Sequence, residues 1–465
     1  MTTRGLLIAG LAGGSGKSIV AVGLTAALRQ RGMTIAPFKK GPDYIDAGWL
    51  KLAAGHPCYN LDPYLIPAET LRQHFQCRAA GADLAIIEGN RGLYDGVTAT
   101  GGYASADLAM LLGLPVIVVV NCTKMTRTVA ALVLGCQHFE PSLSIAGVIL
   151  NQVATSRQEK VIAEAVKTAT GIPVLGALPR LERDIFPMRH LGMLPWQEYH
   201  GHEEAITELA RLVGEHCDLK AIVATSVAVP SVAPSVVPLA AVATVARPEI
   251  PLKIGVFHDA SFQFYYNENL EALAARGAEL LPVNALTDPN LPEGLDGLYI
   301  GGGFPETSAR QLAANASLRA AVRQAALDGL PIYAECGGLI YLCQSLEVAG
   351  ETFPMAGVFP VRLAMTGKPQ AHGYCHFAVD SANPFYQIGT VVRGHEFRYS
   401  RVIDWPGDRR LLALRMIRGK GFTDGRDGLL FGNTLALYTH VHADGVPEWA
   451  EGFIARCLQW KRETA

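Results

Sequence analysis

Short and almost entirely apolar runs alternate with longer segments of helical periodicity through residues 4–215. Helical patterns such as Val20–Arg31 and Ser105–Leu112 separate the runs. The apolar runs are Leu6–Ala9, Ile35–Phe38, Leu84–Ile87, Val116–Val120 and Ile145–Leu150. Apolar strands that alternate with helices are typical of a parallel sheet whose two faces are both covered. The first half of the chain is therefore predicted to be an α/β domain.

The same alternation restarts at residue 252. Two later runs, Tyr374–Val379 and Thr390–Ser400, alternate apolar and polar positions, as antiparallel strands with one solvated face do. The earlier runs of this half are Lys253–Phe257, Glu279–Val283, Gly297–Ile300 and Pro331–Ala334. We expect a second α/β domain over residues 252–465, with antiparallel strands added to a parallel sheet.

A segment of 26 residues without a charge, 221–246, lies between the two halves. Its length would span a bilayer. It contains prolines at 230, 234 and 238, however, and these would interrupt a helix repeatedly and leave backbone groups unpaired in lipid. The segment is therefore interpreted as a semi-rigid linker. The chain is therefore predicted to consist of a first domain over residues 1–216, a linker over 217–251 and a second domain over 252–465.

The composition limits the classes of partner. The chain has 465 residues, of which 49% are hydrophobic and 18% charged, which excludes a disordered chain. The 40 basic and 42 acidic residues give a net charge of −2, so general nucleic-acid binding is disfavoured. Nine cysteines without a CxxC pair indicate a reducing cytoplasm. The mean hydropathy of +0.20 is attributed to buried strands and the linker, and no membrane association is expected.

A glycine-rich loop, Gly10–Gly16, follows the first strand and leads into a helix. Such a loop lets backbone N–H groups close around phosphate oxygens, while Lys17 reaches the outer phosphates and Ser18 can bind Mg²⁺. The loop holds five residues between Gly10 and Gly16, where the common form has four. Asn151 follows a later strand, where it could recognise adenine or cap the strand end. The predicted ATP-binding residues are Gly13, Gly14, Ser15, Gly16, Lys17, Ser18 and Asn151.

Carboxylates follow the next two strands. Asp43 comes after the second strand and Glu88 ends the third, so both should converge with Ser18 at the carboxyl edge of the sheet. Mg²⁺ takes one or two carboxylates together with phosphate oxygens. We predict a magnesium site there, with salt-bridged structural acids as the alternative. Three cations, Lys39, Lys40 and Arg91, would lie beside it, either stabilising phosphate charge or holding carboxylates of a substrate.

A candidate nucleophile lies in the second half. Pro331–Ala334 runs through Glu335 into Cys336-Gly337-Gly338, a strand, small-residue turn and helix that would expose the Cys336 thiol. A helix N-terminus can lower the pKa of such a thiol. Gly337 and Gly303 are predicted to supply oxyanion N–H groups. His440 is the first choice for the base and His442 the second, and a free core cysteine is the alternative for Cys336.

These motifs together resemble the cobyrinic acid a,c-diamide synthases over nearly the whole chain and in the right order. The first half contributes the loop ending Gly16-Lys17-Ser18, Gly41-Pro42-Asp43-Tyr44, Glu88-Gly89, Gly92-Leu93-Tyr94-Asp95-Gly96 and Arg189-His190-Leu191-Gly192. The second half contributes Gly301-Gly302-Gly303-Phe304-Pro305-Glu306, Glu335-Cys336-Gly337-Gly338 and Gly394-His395-Glu396-Phe397.

The resemblance implies a fold and a reaction. A P-loop NTPase-type, dethiobiotin-synthetase-like ATPase domain would precede a flavodoxin-like class I glutamine amidotransferase domain. ATP and Mg²⁺ would activate the a and c carboxylates of a cobalt corrinoid as acyl phosphates. Cys336, activated by His440, would release ammonia from L-glutamine to form the amides. The residues carried over are Ser18, Asp43 and Glu88 for magnesium and Tyr44, Asp46 and Asp95, beside Lys39, Lys40 and Arg91, for the corrinoid.

Several alternatives stay open at this point. Many class I amidotransferases have an acid two residues after the histidine, but His442 stands there, so a Cys–His dyad is expected. Lys124, after the strand Val116–Val120, could bind phosphate or a substrate carboxylate. The tetrapyrrole could be metal-free hydrogenobyrinic acid or nickel sirohydrochlorin. Other classes are a partition-type nucleotide switch and a stand-alone glutaminase or peptidase. A homodimer is compatible with the sequence, which does not give the oligomeric state.

Overall fold

The five apolar runs of the first half form the centre of an eight-stranded sheet in a computed structural model of the protein. The structure describes residues 2–181, 185–186, 188–189, 192–230 and 251–464. The chain divides into two units, Met1–Val237 and Pro238–Ala465. Each unit contains its own sheet and its own core, as the sequence pattern predicted.

Parallel strands make up the sheet of the first unit, in the order β3-β2-β4-β1-β5-β6-β7 once the strands are numbered along the chain. The strands are β1 (Arg4–Gly10), β2 (Ile35–Lys40), β3 (Tyr59–Leu61), β4 (Leu84–Gly92), β5 (Val116–Asn121), β6 (Ile145–Val153), β7 (Val174–Pro179), a small hairpin of β8 (Met188–Arg189) and β9 (Gly192–Met193), and β10 (Val227–Ala228). The short β3 and the later β7 are strands that the apolar-run pattern did not predict.

Helices connect the strands of the first unit, and the pattern Ser105–Leu112 coincides with one of them. They are α1 (Lys17–Gln30), α2 (Ile45–Ala54), α3 (Ala68–Ala79), α4 (Ser105–Leu112), α5 (Thr128–Phe139), α6 (Ser156–Thr170), α7 (His202–His216) and α8 (Leu219–Thr225). Because every main strand is parallel, Lys40 at the end of β2, Glu88 within β4 and Asn151 near the end of β6 lie toward the same edge of the sheet.

The predicted linker begins too early. Residues 217–230 belong to the first unit, because α8 buries Leu219 and Ile222 in its core and β10 pairs antiparallel with β1. The hydrogen bond from Val229 N to Thr3 O, 2.8 Å, extends this pairing. Strand β5 pairs with β1 only from Leu7 onward, and β10 pairs with the preceding residues of β1, Arg4 and Gly5. The remainder of the linker prediction, residues 231–250, lies outside the described residues. Among the helices that the structure does describe, none is long and apolar enough to cross a membrane.

The second unit contains a ten-stranded mixed sheet in the order β13-β11-β14-β16-β25-β24-β23-β20-β21-β26. Its strands, with two smaller sheets, are β11 (Leu252–Phe257), β12 (Phe262–Phe264), β13 (Ala278–Val283), β14 (Gly297–Ile300), β15 (Gly302–Gly303), β16 (Ile332–Glu335), β17 (Ser345–Val348), β18 (Glu351–Pro354), β19 (Arg362–Met365), β20 (Ala371–Val379), β21 (Val391–Arg398), β22 (Ser400–Asp404), β23 (Leu412–Arg418), β24 (Arg426–Phe431), β25 (Thr434–Leu437) and β26 (His440–Val441).

The first five strands of this order are parallel, and they follow the flavodoxin-like order 2-1-3-4-5. The other five are antiparallel, including the predicted pair β20 and β21. The helices are α9 (Asn267–Ala275), α10 (Ala309–Ala314), α11 (Ala316–Asp328), α12 (Gly337–Leu342) and α13 (Pro447–Thr464). The predicted fold class is therefore confirmed for both units.

Candidate active sites

The glycine-rich loop of the first unit joins β1 to α1 and is held by its own residues. Ser15 Oγ donates to Ala12 O at 2.9 Å and accepts from Ala12 N at 3.1 Å. Gly16 has φ +93°, and a Cβ there would lie 2.0 Å from Asn151 Nδ2, so only glycine fits. A Cβ at Gly13 or Gly14 would meet nothing within 4 Å. The loop is thus closed underneath by Asn151 and open at Gly13 and Gly14.

Asn151 braces the phosphate loop from the end of β6. Its Nδ2 donates to Ser15 O at 3.0 Å, and its Oδ1 accepts from Gln152 N at 2.9 Å. The side chain is buried. Because both ends of the amide are engaged within the chain, this arrangement fits the strand-end alternative and loop support, and it gives adenine recognition by Asn151 no support.

Ser18 and Glu88 meet where the magnesium site is predicted. Ser18 Oγ donates to Glu88 Oε1 at 2.6 Å, and Glu88 is fully buried. The other carboxylate oxygen, Glu88 Oε2, is buried without a hydrogen-bond partner among the residues that the structure describes. An orphaned buried oxygen beside a hydroxyl suits a hard cation that takes few protein ligands. These residues therefore fit Mg²⁺, although the described ranges contain no cluster of three or more His, Cys, Asp and Glu side chains that could hold a metal.

Lys39 lies among the acidic side chains at the carboxyl edge of the first sheet. Its Nζ lies 2.5 Å from Asp46 Oδ2, 3.1 Å from Glu88 Oε1 and 3.1 Å from Gly89 O. An ammonium has three donors, and these three acceptors use them. Burial lowers the pKa of Lys39, but the carboxylates of Asp46, Glu88 and Asp43 outweigh burial and raise the pKa well above its ordinary value. The prediction that Lys39 and Asp46 contact the corrinoid therefore finds no support here, because they neutralise each other inside the unit.

The two predicted magnesium carboxylates share this cation. Burial raises the pKa of Glu88 to about 7 and that of Asp43 to about 6, the Asp46 carboxylate adds to both effects, and Lys39 opposes them. Asp43 Oδ1 also accepts hydrogen bonds from Ile45 N at 2.9 Å and Asp46 N at 3.1 Å. Asp43 thus caps the start of α2 beside the Lys39 cluster.

The remaining predicted substrate residues lie around the same edge. Lys40 is buried, and burial lowers its pKa against the attraction of Asp62. Arg91 is exposed, with φ +51°. Asp95 Oδ2 accepts from Gly92 N at 2.9 Å and so closes the turn after β4. Tyr44 stands directly before α2. Of the motif Arg189-His190-Leu191-Gly192, residues 190 and 191 lie outside the described residues.

Cys336 occupies the predicted elbow in the second unit. It stands between β16 and α12 with φ +45°, a conformation that is uncommon for a residue with a side chain. Its N–H donates to Leu437 O at 2.8 Å, and its Sγ lies 3.6 Å from Phe397 O. Burial, with the charge of Glu306, raises the pKa of Cys336 to about 12, so a lowering of the thiol pKa by the helix N-terminus finds no support here.

The Gly302–Gly303 strand joins the elbow to His440. A Cβ on Gly302 would lie 2.4 Å from His440 Cε1, and a Cβ on Gly337 would lie 3.0 Å from Gly303 N. The imidazole stacks on the ring of His395, with centroids 4.9 Å apart. The two predicted oxyanion glycines are therefore adjacent, and His440 packs against the same backbone.

Replacing Gly302 by alanine is expected to displace His440, because the new methyl group would overlap the imidazole. A displacement of about 1 Å can cost on the order of 10²-fold in rate. We expect a loss of that size in glutamine hydrolysis, measured as kcat/KM for ammonia release. Gly367→Ala, where a Cβ meets nothing within 4 Å, is the matched control. Equal rates for the two variants would contradict the packing argument.

An acid that the sequence pattern did not predict lies beside His440. Glu335 Oε2 lies 3.2 Å from His440 Nδ1, and both side chains are buried. His442 pairs elsewhere: its Nδ1 accepts from Asp444 N at 3.2 Å, and its Nε2 lies 3.5 Å from Glu268 Oε1. The structure thus favours His440 over His442 as the base. The only signal in the sequence was that Glu335 directly precedes Cys336.

Asp427 is a second residue that the sequence analysis missed. Its buried carboxylate accepts hydrogen bonds from Tyr438 N at 3.1 Å and from Thr439 N and Oγ1 at 3.2 Å. Burial raises the pKa of Asp427 to about 7. Asp427 holds the backbone immediately before His440, and in this way it helps to position the imidazole.

Comparison with known families divides the chain as the structure does. Residues 6–191 match a family model described as the CobQ/CobB/MinD/ParA nucleotide binding domain. Residues 253–447 match one described as the CobB/CobQ-like glutamine amidotransferase domain. The first match contains the phosphate loop and Glu88, and the second contains the Cys336 elbow and His440.

Several relatives that match over their whole length carry the same name. A "Cobyrinate a,c-diamide synthase" of Magnetococcus marinus is 43% identical over 95% of this chain and 94% of its own length. Proteins of the same name from Dehalococcoides mccartyi (strain CBDB1) and Archaeoglobus fulgidus are each 37% identical, over 97% and 98% of this chain and 97% and 98% of their own lengths. The similarity therefore extends across both units.

Proposed function

The chain belongs to the cobyrinate a,c-diamide synthase family, and from this premise we propose that it amidates the a and c carboxylates of cobyrinic acid with ATP and glutamine, a step of cobalamin biosynthesis. The resemblance noted from the motifs is thereby confirmed at the level of the family. The proposed enzyme is a glutamine-hydrolysing carbon–nitrogen ligase. Its two units would divide the work between carboxylate activation and ammonia release.

In the second unit Cys336 would attack the glutamine amide carbon. The thiol is protonated at neutral pH, because burial raises its pKa, so His440 would take the proton as the sulfur–carbon bond forms. The N–H groups of Gly303 and Gly337 would donate to the oxyanion. His440 would return the proton to the leaving ammonia, and water would then hydrolyse the thioester to glutamate.

In the first unit the open loop at Gly13 and Gly14, with Lys17, would bind the ATP phosphates. Ser18 and Glu88 would hold Mg²⁺, with Asp43 beside them, and the ion neutralises phosphate charge when bound with ATP. A carboxylate of the substrate would attack the γ-phosphorus and release ADP. Ammonia would attack the resulting acyl phosphate and release inorganic phosphate. Lys40 and Arg91 would hold other carboxylates of the acceptor.

One observation carries this proposal beyond a nucleotide switch or a glutaminase. A single chain holds both a phosphate loop with the Ser18–Glu88 pair and a cysteine elbow packed with a histidine on the Gly302–Gly303 backbone. A switch would leave the elbow without a role, and a stand-alone glutaminase would leave the loop without one.

The expected product is a diamide. Cobyrinic acid, incubated with the protein, ATP, Mg²⁺ and glutamine, should lose about one mass unit per amidation, because NH₂ replaces OH, and the change should occur twice. Parallel incubations with hydrogenobyrinic acid and nickel sirohydrochlorin identify the acceptor by mass spectrometry. If the mass changes for only one of the two alternative acids, that acid replaces cobyrinic acid as the proposed acceptor. If the mass changes for none of the three acids, the proposal is refuted.

A further inference from the structure

Glu335 stands at the end of a strand of the second unit, and its carboxyl group approaches the segment that follows a neighbouring strand. It ends β16, which pairs in parallel with β25, so Glu335 stands opposite Leu437. The chain then continues from Leu437 into β26, which brings His440 Nδ1 to 3.2 Å from Glu335 Oε2. Val441 N approaches Glu335 Oε1 at 3.5 Å. The register of one strand pair therefore places residues 105 positions apart in contact.

We propose that Glu335, the residue directly before the nucleophile, is the positioning carboxylate of the amidotransferase site and completes a Cys336–His440–Glu335 triad. An ionised Glu335 accepts the Nδ1 proton of His440, which leaves the Nε2 lone pair to accept the proton of Cys336. The same carboxylate then stabilises the imidazolium that forms. This inference rests on the proposed glutamine hydrolysis, and it replaces the dyad expected from the sequence.

The charge state of Glu335 decides which nitrogen of His440 carries a proton. A protonated Glu335 would donate to Nδ1, and neutral His440 would then carry its proton on Nε2, where it cannot accept another. Loss of one proton from the Glu335–His440 pair creates the competent arrangement. Burial raises the pKa of Glu335 to about 8, against the hydrogen bonds of Val441 N and of the Tyr333 and Tyr299 hydroxyls.

The other groups around Glu335 do not titrate in the same range. Burial lowers the pKa of His440 to about 3 and raises that of Cys336 to about 12. His395, stacked on His440, has a pKa well below its ordinary value, again through burial. The phenols that face Glu335 have pKa values raised well above the ordinary value by burial; they are Tyr265, Tyr299, Tyr333 and Tyr386. Among these groups Glu335 alone has a pKa between 6 and 9.5. Asp427, whose pKa burial raises to about 7, holds the backbone before His440, and a pH dependence that came from Asp427 would persist in Glu335→Gln.

The buried pair of Glu268 and His442 provides a matched control. It is likewise a fully buried glutamate beside a fully buried histidine, and His442 lies only two residues after His440, although the contact runs through Nε2 at 3.5 Å. His442 Nδ1 accepts a hydrogen bond from Asp444 N, and His442 Nε2 lies 3.5 Å from Glu268 Oε1. Glu268→Gln therefore disturbs a buried acid–histidine pair without touching His440.

The experiment measures kcat/KM for glutamine hydrolysis from pH 6 to 9.5 in the full-length protein, with ATP, Mg²⁺ and cobyrinic acid present. For the wild type we expect kcat/KM to rise tenfold per pH unit and to become constant above about pH 8, and we call the rising part of this profile the limb. Glu335→Gln should lose on the order of 10⁴-fold at the plateau and should no longer show this limb. Glu268→Gln should keep the limb. Ionisation of the amino group of glutamine affects all three proteins equally.

Labelling of Cys336 by iodoacetamide, followed on its tryptic peptide by mass spectrometry, supplies the same readout when turnover is too slow to measure. Labelling of the wild type should increase through about pH 8, whereas Glu335→Gln should remain unreactive because burial raises the pKa of the thiol and His440 can no longer accept its proton. If Glu335→Gln does not fold, Glu335→Asp keeps the charge and should retain a shifted limb.

Two results would overturn the inference. One is a limb near pH 8 that persists in Glu335→Gln, and the other is a limb lost equally in Glu268→Gln. A wild type that releases no ammonia from glutamine would instead refute the proposed function, so the two failures are distinguishable.

Discussion

Cys336→Ala is expected to abolish glutamine-dependent amidation and to leave amidation with added ammonium intact. The alanine cannot form the thioester, and removal of a nucleophile costs on the order of 10⁵- to 10⁶-fold in rate. Ammonia supplied from solution bypasses this step, because carboxylate activation depends on residues of the first unit. The measurement is amide formed on cobyrinic acid, by mass spectrometry, with glutamine or with an ammonium salt as nitrogen donor.

Cys343→Ala is the control for Cys336→Ala. Cys343 is fully buried seven residues further on, in the hydrophobic core of the same unit. Its loss costs packing but removes no nucleophile, so glutamine-dependent amidation should continue while the thermal unfolding temperature falls. If Cys336→Ala loses both nitrogen sources while its circular dichroism spectrum is unchanged, the division of labour between the units is wrong.

Lys17→Ala is expected to remove both synthetic activities, with glutamine and with ammonium. Lys17 begins α1 directly after the loop, and its charge acts on the buried Glu88 carboxylate. Cations at a transferred phosphate stabilise charge that develops in the transition state, and loss of one such group typically costs on the order of 10²- to 10³-fold. The readouts are ADP release and amide formation, with cobyrinic acid saturating.

Lys51→Ala provides the comparison for Lys17→Ala, because Lys51 is an exposed lysine of α2 and lies outside the predicted sites. It should retain both activities. Glutamine hydrolysis, measured in Lys17→Ala without the acceptor, reports whether the second unit is folded. Ammonium-dependent amidation that remained at the rate of the Lys51→Ala variant would show that the phosphate loop is not the ATP site.

Local pattern predicted most of the fold. The apolar runs became the central strands because a strand buried on both faces must be apolar along its length, whatever its neighbours are. The elbow at Cys336 and the loop before Lys17 were predictable for a similar reason: glycine at fixed positions reflects local backbone requirements. The linker boundary was misjudged, because residues 217–230 are apolar enough for either interpretation and only their pairing with β1 distinguishes the two.

The sequence by itself determined the two α/β units, the glycine-rich loop before Lys17, the elbow at Cys336 and the family. Tertiary structure alone decided how the charged side chains pair. Lys39 is neutralised by Asp46 and Glu88, and His440 meets Glu335 across 105 positions. It also decided that burial raises the pKa of Cys336, where the helix position suggested the opposite. The physical reason is that pairing and desolvation depend on strand register and on depth in the core, which are properties of the assembled sheet and not of any short segment.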